Sequence, residues 1–352
     1  MFYQCQKCKR VWQHPIQKCP YCFLKVRPLR SSKVKVIGIS KVSIPTLLHP
    51  KVPYFVVLLE DENGNRWVQK SKREYKIGEQ LKYEPRPDKN AVSIWRVKYD
   101  VLEAIEKVIE LLGGIRIDQN SKILIVPTLV SPVHPHFAEN TSPEVLEALI
   151  KFLLQKGAKP ENIKIGAQSF TEIPIEASAQ KSGLLEICLK YKVVPLDLSK
   201  TKFILKKLNG FGFEISEEVF DHDFVINLPT LNLDLKLGVR GATENLTRLL
   251  KKESYFSLKY LYSEEKILEN ISSILPKSLL NIADGISVQK TNKIAAFLGL
   301  VFGSFDPLNL DRVFAEVCMR QQLPEYLKKI SLEKIPVVGR QIEEVQYDLE
   351  KV

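Results

Sequence analysis

The sequence predicts an α/β protein with two parts: a small N-terminal metal-binding β unit, and a three-layer α/β domain with a mostly parallel sheet. Four cysteines within the first 22 residues predict the metal site. Short strand-like runs over residues 33–83 predict the β unit. From Lys122 onward, apolar strand-like runs alternate with helical segments, which is typical of a parallel sheet covered by helices on both faces.

The four N-terminal cysteines form two Cys-x-x-Cys pairs: Cys5 with Cys8, and Cys19 with Cys22. Each pair directs two thiolates toward a common point, and four sulfurs complete the closed tetrahedral shell of a structural zinc site. Such a shell leaves no position open for a substrate. We expect zinc; iron of the rubredoxin type uses the same ligands, and two separate redox pairs are the alternative to a single metal site.

Positive charge is concentrated at the front of the chain. The 352 residues carry a net charge of +11, and residues 1–95 hold 19 Lys and Arg against 7 Asp and Glu. This asymmetry predicts a polyanionic partner for the front part: nucleic acid, an acidic protein or a phosphate-bearing cofactor. A basic surface that serves solubility alone is the alternative.

The sequence gives no signal for export or membrane insertion. The first residues lack the basic and then apolar run of a signal peptide, and no stretch approaches the eighteen or so apolar residues of a membrane span. We therefore expect a cytoplasmic protein without a membrane partner. The two other cysteines, Cys188 and Cys318, lie in apolar helical patterns and are expected to be buried free thiols.

The residues after the cysteines are expected to form a compact β unit. Apolar runs at 34–37, 54–59 and 66–69 predict strands, and Asn63-Gly64 between the last two is a strong hairpin signal. One more strand is expected within 77–83.

This front part resembles the rubredoxin-like zinc ribbon and oligonucleotide/oligosaccharide-binding (OB) barrel of acyl-CoA-associated proteins. The resemblance covers residues 3–85 and rests on the four cysteines, the loop with Pro45 and Pro53, and the Lys76-Ile77-Gly78-Glu79 phrase. It implies binding of an acyl-CoA, an acyl carrier or an enzyme subunit, and barrels of this kind also bind nucleic acid. The division that follows is a zinc ribbon over 1–30, an OB-like β-barrel over 31–85 and a linker over 86–100.

Residues 101–340 are expected to form the α/β domain, followed by a C-terminal tail over 341–352. Apolar residues at helical spacing predict a helix from Val101 to the Gly113-Gly114 pair, and Ser142-Pro143 opens a second helix. Buried strands are expected at 123–126, 163–166, 193–196, 224–227 and 296–301.

The order of short phrases in this domain resembles an uncharacterised family, domain of unknown function 362, over residues 105–340. The phrases that carry the resemblance are Val126-Pro127-Thr128-Leu129-Val130, Thr141-Ser142-Pro143-Glu144, Asp223-Phe224-Val225-Ile226-Asn227-Leu228-Pro229, Ala283-Asp284-Gly285-Ile286, and Ser304-Phe305-Asp306-Pro307 with Asp311.

The chain departs from the family pattern at polar positions. The resemblance implies Lys and Asn where Val126 and Thr128 stand, Lys and His where Thr230 and Asp234 stand, and Lys where Glu244 stands. These changes remove cationic groups and add acidic ones, so the pocket is expected to be neutral or acidic. We therefore do not carry over a family activity.

Ligands of open parallel sheets bind beyond the carboxyl ends of the strands, where several polar residues of this chain are expected to gather. These candidate ligand-binding residues are Asn227, Asp234, Glu244, Asn245, Asp284 and Asp306. Asp306 also precedes Pro307 and suits a helix cap equally well.

Two further features are candidates for binding. Thr141 and Ser142 offer a hydroxyl and free backbone amides at a helix start, which suits a phosphate or carboxylate as well as simple capping. His134-Pro135-His136, together with carboxylates, suits a divalent metal or an acid/base site, or else forms only a rigid surface turn.

Two function classes follow. The first is a zinc-binding interaction or ligand-binding protein whose basic front part engages an acidic or phosphate-bearing partner. The second is an enzyme with an acidic active cleft within residues 122–311 that acts on a small metabolite; nucleic-acid binding through the ribbon and barrel is third. No dinucleotide, P-loop, serine-hydrolase or zincin motif is present in the sequence, and the departures from the family pattern favour the first class.

Overall fold

The computed structural model describes residues 2–12, 16, 18–29, 33–45, 52–71, 73–82, 89–276, 278–291, 294–319 and 322–349. The chain divides into two compact units, Met1–Arg86 and Pro87–Val352.

Strands dominate the described part of the first unit. They are β1 (Phe2–Cys5), β2 (Val11–Trp12), β3 (Val26–Leu29), β4 (Lys33–Val42), β5 (Tyr54–Asp61), β6 (Arg66–Ser71) and β7 (Gln80–Lys82). The first three form a small antiparallel sheet in the order β2-β1-β3. This sheet carries the cysteine pairs at its ends and in its connections.

The other four strands form a second antiparallel sheet in the order β6-β5-β4-β7. Side-chain alternation along β4 and β5 buries Val34, Val36, Val57 and Leu59 in a small core. The expected OB-like barrel is not found among the described residues, because the edge strands β6 and β7 do not pair and the sheet stays open. An OB barrel requires five strands, whereas four are described here.

The predicted hairpin between β5 and β6 is confirmed. The Asp61 carboxylate accepts hydrogen bonds from the backbone amides of Asn63 (2.9 Å) and Asn65 (2.8 Å). Gly64 adopts a left-handed φ of +76°, a conformation that glycine reaches without steric cost. Tyr83, at the end of the last predicted strand, lies outside the described residues.

The second unit alternates strands and helices. Its strands are β8 (Val92–Arg96), β9 (Ile123–Pro127), β10 (Ile163–Ala167), β11 (Val194–Asp197), β12 (Phe203–Leu208), β13 (Phe211–Ser216), β14 (Phe224–Leu228), β15 (Asn232–Asp234), β16 (Gly238–Arg240), β17 (Leu279–Gln289), β18 (Ala295–Ser304) and β19 (Val337–Gly339). Its helices are α1 (Val101–Leu111), α2 (Pro143–Gln155), α3 (Ile175–Lys181), α4 (Leu184–Tyr191), α5 (Ala242–Leu246), α6 (Lys252–Tyr262), α7 (Glu264–Ile271), α8 (Pro307–Val317), α9 (Glu325–Lys328) and α10 (Ile342–Val345).

Eight of these strands form the main sheet, in the order β11-β10-β9-β14-β17-β18-β8-β19. The five strands from β11 to β17 run parallel to their neighbours, while β18 is antiparallel to both β17 and β8. The prediction of a mostly parallel sheet is confirmed, with the difference that the run at 296–301 belongs to an antiparallel strand.

The packing around β9 shows the three layers. Ile123 and Ile125 belong to the core that includes α1, α2 and α4, whereas Leu124 and Val126 belong to the core that includes α5, α6 and α7. Successive side chains of a strand point to opposite faces, so helices cover both faces of the sheet. A third cluster packs α8 and α9 near β8, β17 and β18.

Two segments differ from the predicted domain division. Val92–Arg96, inside the predicted linker, forms β8 and pairs with β18 and β19; residues 83–88 lie outside the described residues. The predicted C-terminal tail contains α10, and Leu349 is fully buried in the core. Both segments carry apolar residues that bury surface against the α/β unit, so this unit extends beyond 101–340.

Cys188 and Cys318 are buried free thiols, as predicted, and burial raises the pKa of Cys188 to about 11. Within the described part of the chain, no helix has the length and apolar character needed to cross a membrane.

Candidate metal centre and polar cluster

The four N-terminal cysteines meet at one point. Their sulfur atoms all lie within 4.8 Å of one another, and the Sγ atoms of Cys8 and Cys19 are 3.6 Å apart. Cys5 and Cys19 are fully buried, while Cys8 and Cys22 are half-buried. Among the described residues, this is the one group of three or more Cys, His, Asp or Glu side chains arranged to hold a metal ion.

Two matched backbone turns position these sulfurs. The amide of Lys9 donates to the carbonyl of Cys5 (3.0 Å), and the amide of Phe23 donates to the carbonyl of Cys19 (2.8 Å). Each turn closes with a bond from the amide of its first cysteine to the carbonyl of Arg10 or Leu24. Lys9 and Phe23 both have left-handed φ angles, +58° and +55°. The same turn is therefore built twice, with one cysteine pair on each.

The thiols influence one another's ionisation. Hydrogen bonds, first of all from the backbone amide of Cys8, lower the pKa of the Cys5 thiol to about 7. The hydrogen bond with Cys8, followed by burial, raises the pKa of the Cys22 thiol to about 12. The Cys5 thiolate therefore forms readily, whereas the Cys22 thiol retains its proton more strongly than usual. A divalent cation would favour loss of that proton, because it stabilises every thiolate that it binds.

The donor set fits a structural metal. Tetrahedral metal–sulfur bonds of about 2.3 Å place sulfurs about 3.8 Å apart. The 3.6 Å between the sulfurs of Cys8 and Cys19 is close to this edge, and all four sulfurs lie within 4.8 Å of one another. Cys5, Cys8, Cys19 and Cys22 would hold the ion and would supply a crosslink between the two turns.

A second cluster of polar side chains lies at the carboxyl ends of β9 and β14. The side-chain amide of Asn245 donates to Asn227 Oδ1 (2.8 Å) and to the carbonyl of Val126 (2.9 Å). Asn227 in turn donates to Asn281 Oδ1 (2.8 Å) and to the carbonyl of Ala242 (2.8 Å). The structure thus places two of the candidate residues, Asn227 and Asn245, in one fully buried network.

Thr128 extends this network. Its hydroxyl donates to Asn245 Oδ1 (2.9 Å) and accepts from the amide of Thr230 (3.0 Å), and its own amide donates to Thr141 Oγ1 (2.9 Å). Thr141 Oγ1 also donates to the carbonyl of Leu228 (2.6 Å). The Thr141 hydroxyl therefore links the ends of β9 and β14 through hydrogen bonds, and it is buried, whereas the sequence predicted a free hydroxyl at a helix start.

Asp284 lies on the neighbouring strand. Its carboxylate accepts from the amides of Ser142 (2.9 Å) and Ile286 (3.1 Å). Asn227 pairs with Asn281 across β14 and β17, and Asp284 is three residues further along β17, about 10 Å at the usual rise per residue. Three residues is an odd step along a strand, so the Asp284 side chain points to the sheet face opposite to that of Asn227. Asp284 binds the amide of Ser142 on the α2 side, whereas Asn227 binds Asn245 of α5 on the other side, and the two do not share one pocket. Ser142 also caps α2, because its Oγ accepts from the amide of Glu144 (3.3 Å).

Two carboxyl groups in this region are fully buried. Burial raises the pKa of Asp284 to about 6, and the amide donors of Ser142 and Ile286 counteract that rise. Burial likewise raises the pKa of Asp311 to about 6. Asp311 accepts from the amides of Ala242 (2.6 Å) and Thr243 (2.8 Å), so it caps the start of α5.

The expected acidic character is not found at Glu244. Its Oε1 lies 3.5 Å from guanidinium nitrogens of both Arg240, the last residue of β16, and Arg248, in the turn after α5. Glu244 and Arg248 are 9% exposed, and the Arg248 guanidinium also stacks on the Phe170 ring. Two arginines thus compensate the one carboxylate.

The remaining candidates have local structural roles. Asp234 ends β15 and accepts from the amides of Lys236 and Leu237, both at 2.8 Å. Asp306 caps α8 by accepting from Leu308 (2.9 Å) and Asn309 (3.1 Å). His134 and His136 lie on an exposed turn with their ring centroids 4.5 Å apart, and no carboxylate joins them in a metal-binding group within the described residues.

Sequence reasoning missed three members of the polar cluster: Thr128 as a linking residue, Asn281 and Asp311. Asn281 lies three residues before Asp284, inside an apolar run, and an asparagine in such a run is a usable signal of a buried hydrogen-bond network. Asp311 is part of a quoted family phrase, but only the tertiary structure shows that it caps a helix beginning at Ala242.

The buried carboxyl of Asp284 predicts a pH effect. Its folded pKa, about 6, exceeds the usual unfolded value of about 3.9, so its ionisation disfavours the folded state above pH 6 and this cost falls as pH is lowered toward 4. The free energy of unfolding of Asp284→Asn, relative to that of the parent protein, should therefore be about 2 kcal/mol higher at pH 7.5 than at pH 4.5. Urea unfolding at the two pH values measures this difference. Asp221→Asn, at an exposed site, is the matched control, and equal pH dependence of the two variants would contradict the prediction.

Comparison with known proteins identifies a family for the part of the chain that carries the polar cluster. A model of the family described as "Domain of unknown function (DUF362)" matches residues 123–316, more than half of the chain. The chain belongs to the DUF362 family. The matched range includes β9, β14 and β17 with the polar cluster, and it excludes the cysteine-bearing first unit of this DUF362 protein.

The proteins similar to this chain include one relative in sequence and one solved structure. A thylakoid-associated protein of Synechocystis sp. is 22% identical over 232 residues, which covers 62% of this chain and 70% of that protein. The lactate racemase apoprotein of Thermoanaerobacterium thermosaccharolyticum has a TM-score of 0.40 and 13% identity, and the match covers 71% of this chain and 60% of that structure. The DUF362 protein thus spans less than two thirds of the length of the racemase.

Proposed function

We propose that this DUF362 protein is a zinc-binding interaction protein whose basic N-terminal unit binds an anionic partner. The observation that carries the proposal is the charge of the metal-bearing unit. The first acidic residue of the chain is Glu60, and eleven Lys and Arg residues precede it. A surface with this balance attracts polyanions and raises their rate of encounter.

Zinc is the metal that we propose for the four thiolates. A closed shell of four sulfurs is typical of structural zinc and leaves no position for a substrate. Its role would be to fix the two turns in a unit whose described hydrophobic core is small. Binding of a partner, not catalysis, is what such a unit supports.

The partner classes that fit are an acyl-CoA, an acyl carrier protein, an acidic enzyme subunit and a nucleic acid, all of which present phosphate or carboxylate groups. Lys33 and Lys35 illustrate the fit, because they are exposed on β4 while the alternate residues Val34 and Val36 are buried. One face of this strand thus presents positive charge to solvent.

A salt titration tests the proposal. Binding of coenzyme A or of an acyl carrier protein to the full-length protein should weaken as ionic strength rises, because salt screens exposed charges. Charge reversal by Lys33→Glu with Lys35→Glu should weaken binding by about 10-fold or more. Lys207→Glu with Lys236→Glu, at exposed sites of the α/β unit, is the matched control. If no anionic partner binds at physiological salt, the positive charge serves solubility and the proposal is wrong.

An enzyme acting on a small metabolite is the second candidate. Asp284 and Thr230 favour this candidate, because they form a β-bridge at the carboxyl edge of the sheet. Burial raises the pKa of Asp284 to about 6. The buried Thr230 hydroxyl has no hydrogen-bond partner in the described structure. A buried carboxyl with a raised pKa at this edge suits proton transfer. A metabolite that stabilises the parent protein but not Asp284→Asn would support this candidate.

A further inference from the structure

The two cysteine turns together present an unusual surface. We call it the knuckle face and define it by Lys7, Lys9 and Arg10 of the first turn with Tyr21 and Phe23 of the second. All five side chains are exposed; Tyr21 is 67% exposed and Phe23 is 76% exposed. Two aromatic rings are thus left in water on turns that also carry three cations, and covering those rings would contribute favourable free energy on binding.

The turn sets the backbone that carries Phe23. Phe23 has a left-handed φ of +55°, and its amide donates to the carbonyl of Cys19. The backbone at Phe23 is therefore set by the same turn that positions Cys19 and Cys22. Stacking of a flat ligand on the Phe23 ring would require no ordering of the backbone at that position.

Arg10 joins the two turns. Its guanidinium carbon lies 3.6 Å from the centroid of the Tyr21 ring, and Tyr21 nevertheless keeps 67% of its surface exposed. Arginine on one face of an aromatic ring leaves the other face for a ligand, and the guanidinium keeps N–H donors for an anionic oxygen. A base and a phosphate could be bound side by side at this point.

The charge around the knuckle face selects the partner. No acidic residue occurs before Glu60, so no carboxylate of the ribbon competes with an anionic ligand for these cations. Flat rings interspersed with cations match a chain that alternates bases and phosphates, in which each base has a face to stack. In a duplex the bases already stack on one another and are not available to the rings.

We propose that the knuckle face binds single-stranded nucleic acid without sequence preference, through bases stacked on Tyr21 and Phe23 and phosphates at Lys7, Lys9 and Arg10. This inference rests on the proposed function, because it names the class of anion that the N-terminal unit binds.

Fluorescence anisotropy with the full-length, zinc-loaded protein tests the inference. The probe is a labelled oligothymidine of about twelve nucleotides, within the usual range of single-strand site sizes. Binding should be tighter than to a duplex of the same length and should weaken with salt. Tyr21→Ala and Phe23→Ala should each reduce affinity by about 5- to 150-fold, the usual effect of losing one stacked base.

Tyr260→Ala is the matched control, because Tyr260 is 90% exposed in the α/β unit and should not affect binding. Metal content is measured for every variant, so that unfolding of the ribbon is separated from loss of stacking. As a second readout, ultraviolet crosslinking to a thiolated oligonucleotide should label the peptide that contains residues 19–25.

Three outcomes would overturn the inference. If both aromatic variants bind as the parent does while Lys7→Ala and Lys9→Ala bind weakly, charge acts without stacking. If coenzyme A or an acyl carrier protein binds and the oligonucleotide does not, the proposed function stands and the partner is not nucleic acid. If no anion binds, both the inference and the proposed function fail.

Discussion

Cys19→Ser is expected to abolish metal binding and to unfold the N-terminal unit while the α/β unit stays folded. Cys19 is fully buried, and its Sγ lies 3.6 Å from that of Cys8, so a serine oxygen there would break the four-sulfur shell. Metal binding contributes about 10–16 kcal/mol to the folding of small zinc domains. The described hydrophobic core of this unit, with Val34, Val36, Val57 and Leu59 buried, is too small to replace that contribution.

Metal analysis and hydrogen exchange measure this effect. The parent protein should contain one zinc per chain, the variant almost none, and residues 2–82 should lose protection from exchange. Cys188→Ala is the matched control: Cys188 is a buried thiol of α4 in the α/β core, so its loss should leave the metal in place and destabilise only the α/β unit. A Cys19→Ser variant that keeps its metal and its exchange protection would contradict the structural role of the site.

Asn227→Ala should destabilise the α/β unit by about 3 kcal/mol or more. The substitution removes three hydrogen bonds, to Asn245, Asn281 and Ala242, in a place where water does not reach. Each buried partner left unsatisfied costs about 1–3 kcal/mol, and a small cavity adds to the loss.

Chemical denaturation followed by tryptophan fluorescence and by far-ultraviolet circular dichroism measures this loss. Asn270→Ala is the matched control, because Asn270 is only partly buried and its side-chain hydrogen bonds, to the carbonyl of Lys266 and from the side chain of Asn209, lie at the protein surface. Its removal should change stability by about 0.5 kcal/mol or less. If Asn227→Ala were equally mild, the network would be rich in water and better suited to binding a ligand than to holding the strands together.

The α/β architecture was predictable because its strands are buried on both faces. The run Ile123-Leu124-Ile125-Val126, for example, stands out as a continuous apolar segment, and the next long helix along the chain, α2, has one apolar stripe. Val92–Arg96 was missed since this short strand, which carries a polar serine, lies beside a Pro-rich stretch typical of a linker. Only its pairing with β18 and β19, far along the chain, shows that it belongs to the sheet.

The OB-like barrel was the wrong part of the fold prediction, as far as the described residues go. Local pattern predicts strands and hairpins, but closure depends on whether the edge strands meet. Here β7 extends over only three residues and pairs with β4, so no closed ring forms among the described strands.

The candidate site was predictable where strand ends carry polar residues, as at Asn227 and Asp284. The charge of the candidate site was predicted wrongly at Glu244. The two arginines that compensate this carboxylate, Arg240 and Arg248, are visible in the sequence four residues before and after it. Arg240 ends β16 and Arg248 lies in the turn after α5, so the two arginines do not lie on one continuous helix with Glu244. The compensation of Glu244 therefore emerged only from the three-dimensional structure.

X-ray absorption spectroscopy of the purified, fully reduced protein tests the central claim most directly. The account predicts a zinc absorption edge and a first coordination shell of four sulfurs at about 2.3 Å, with no nitrogen or oxygen ligand. An iron edge would keep the four-cysteine centre and replace the proposed metal. A shell that contains nitrogen or oxygen, or protein that holds no metal, would contradict the claim that Cys5, Cys8, Cys19 and Cys22 form a closed structural metal site.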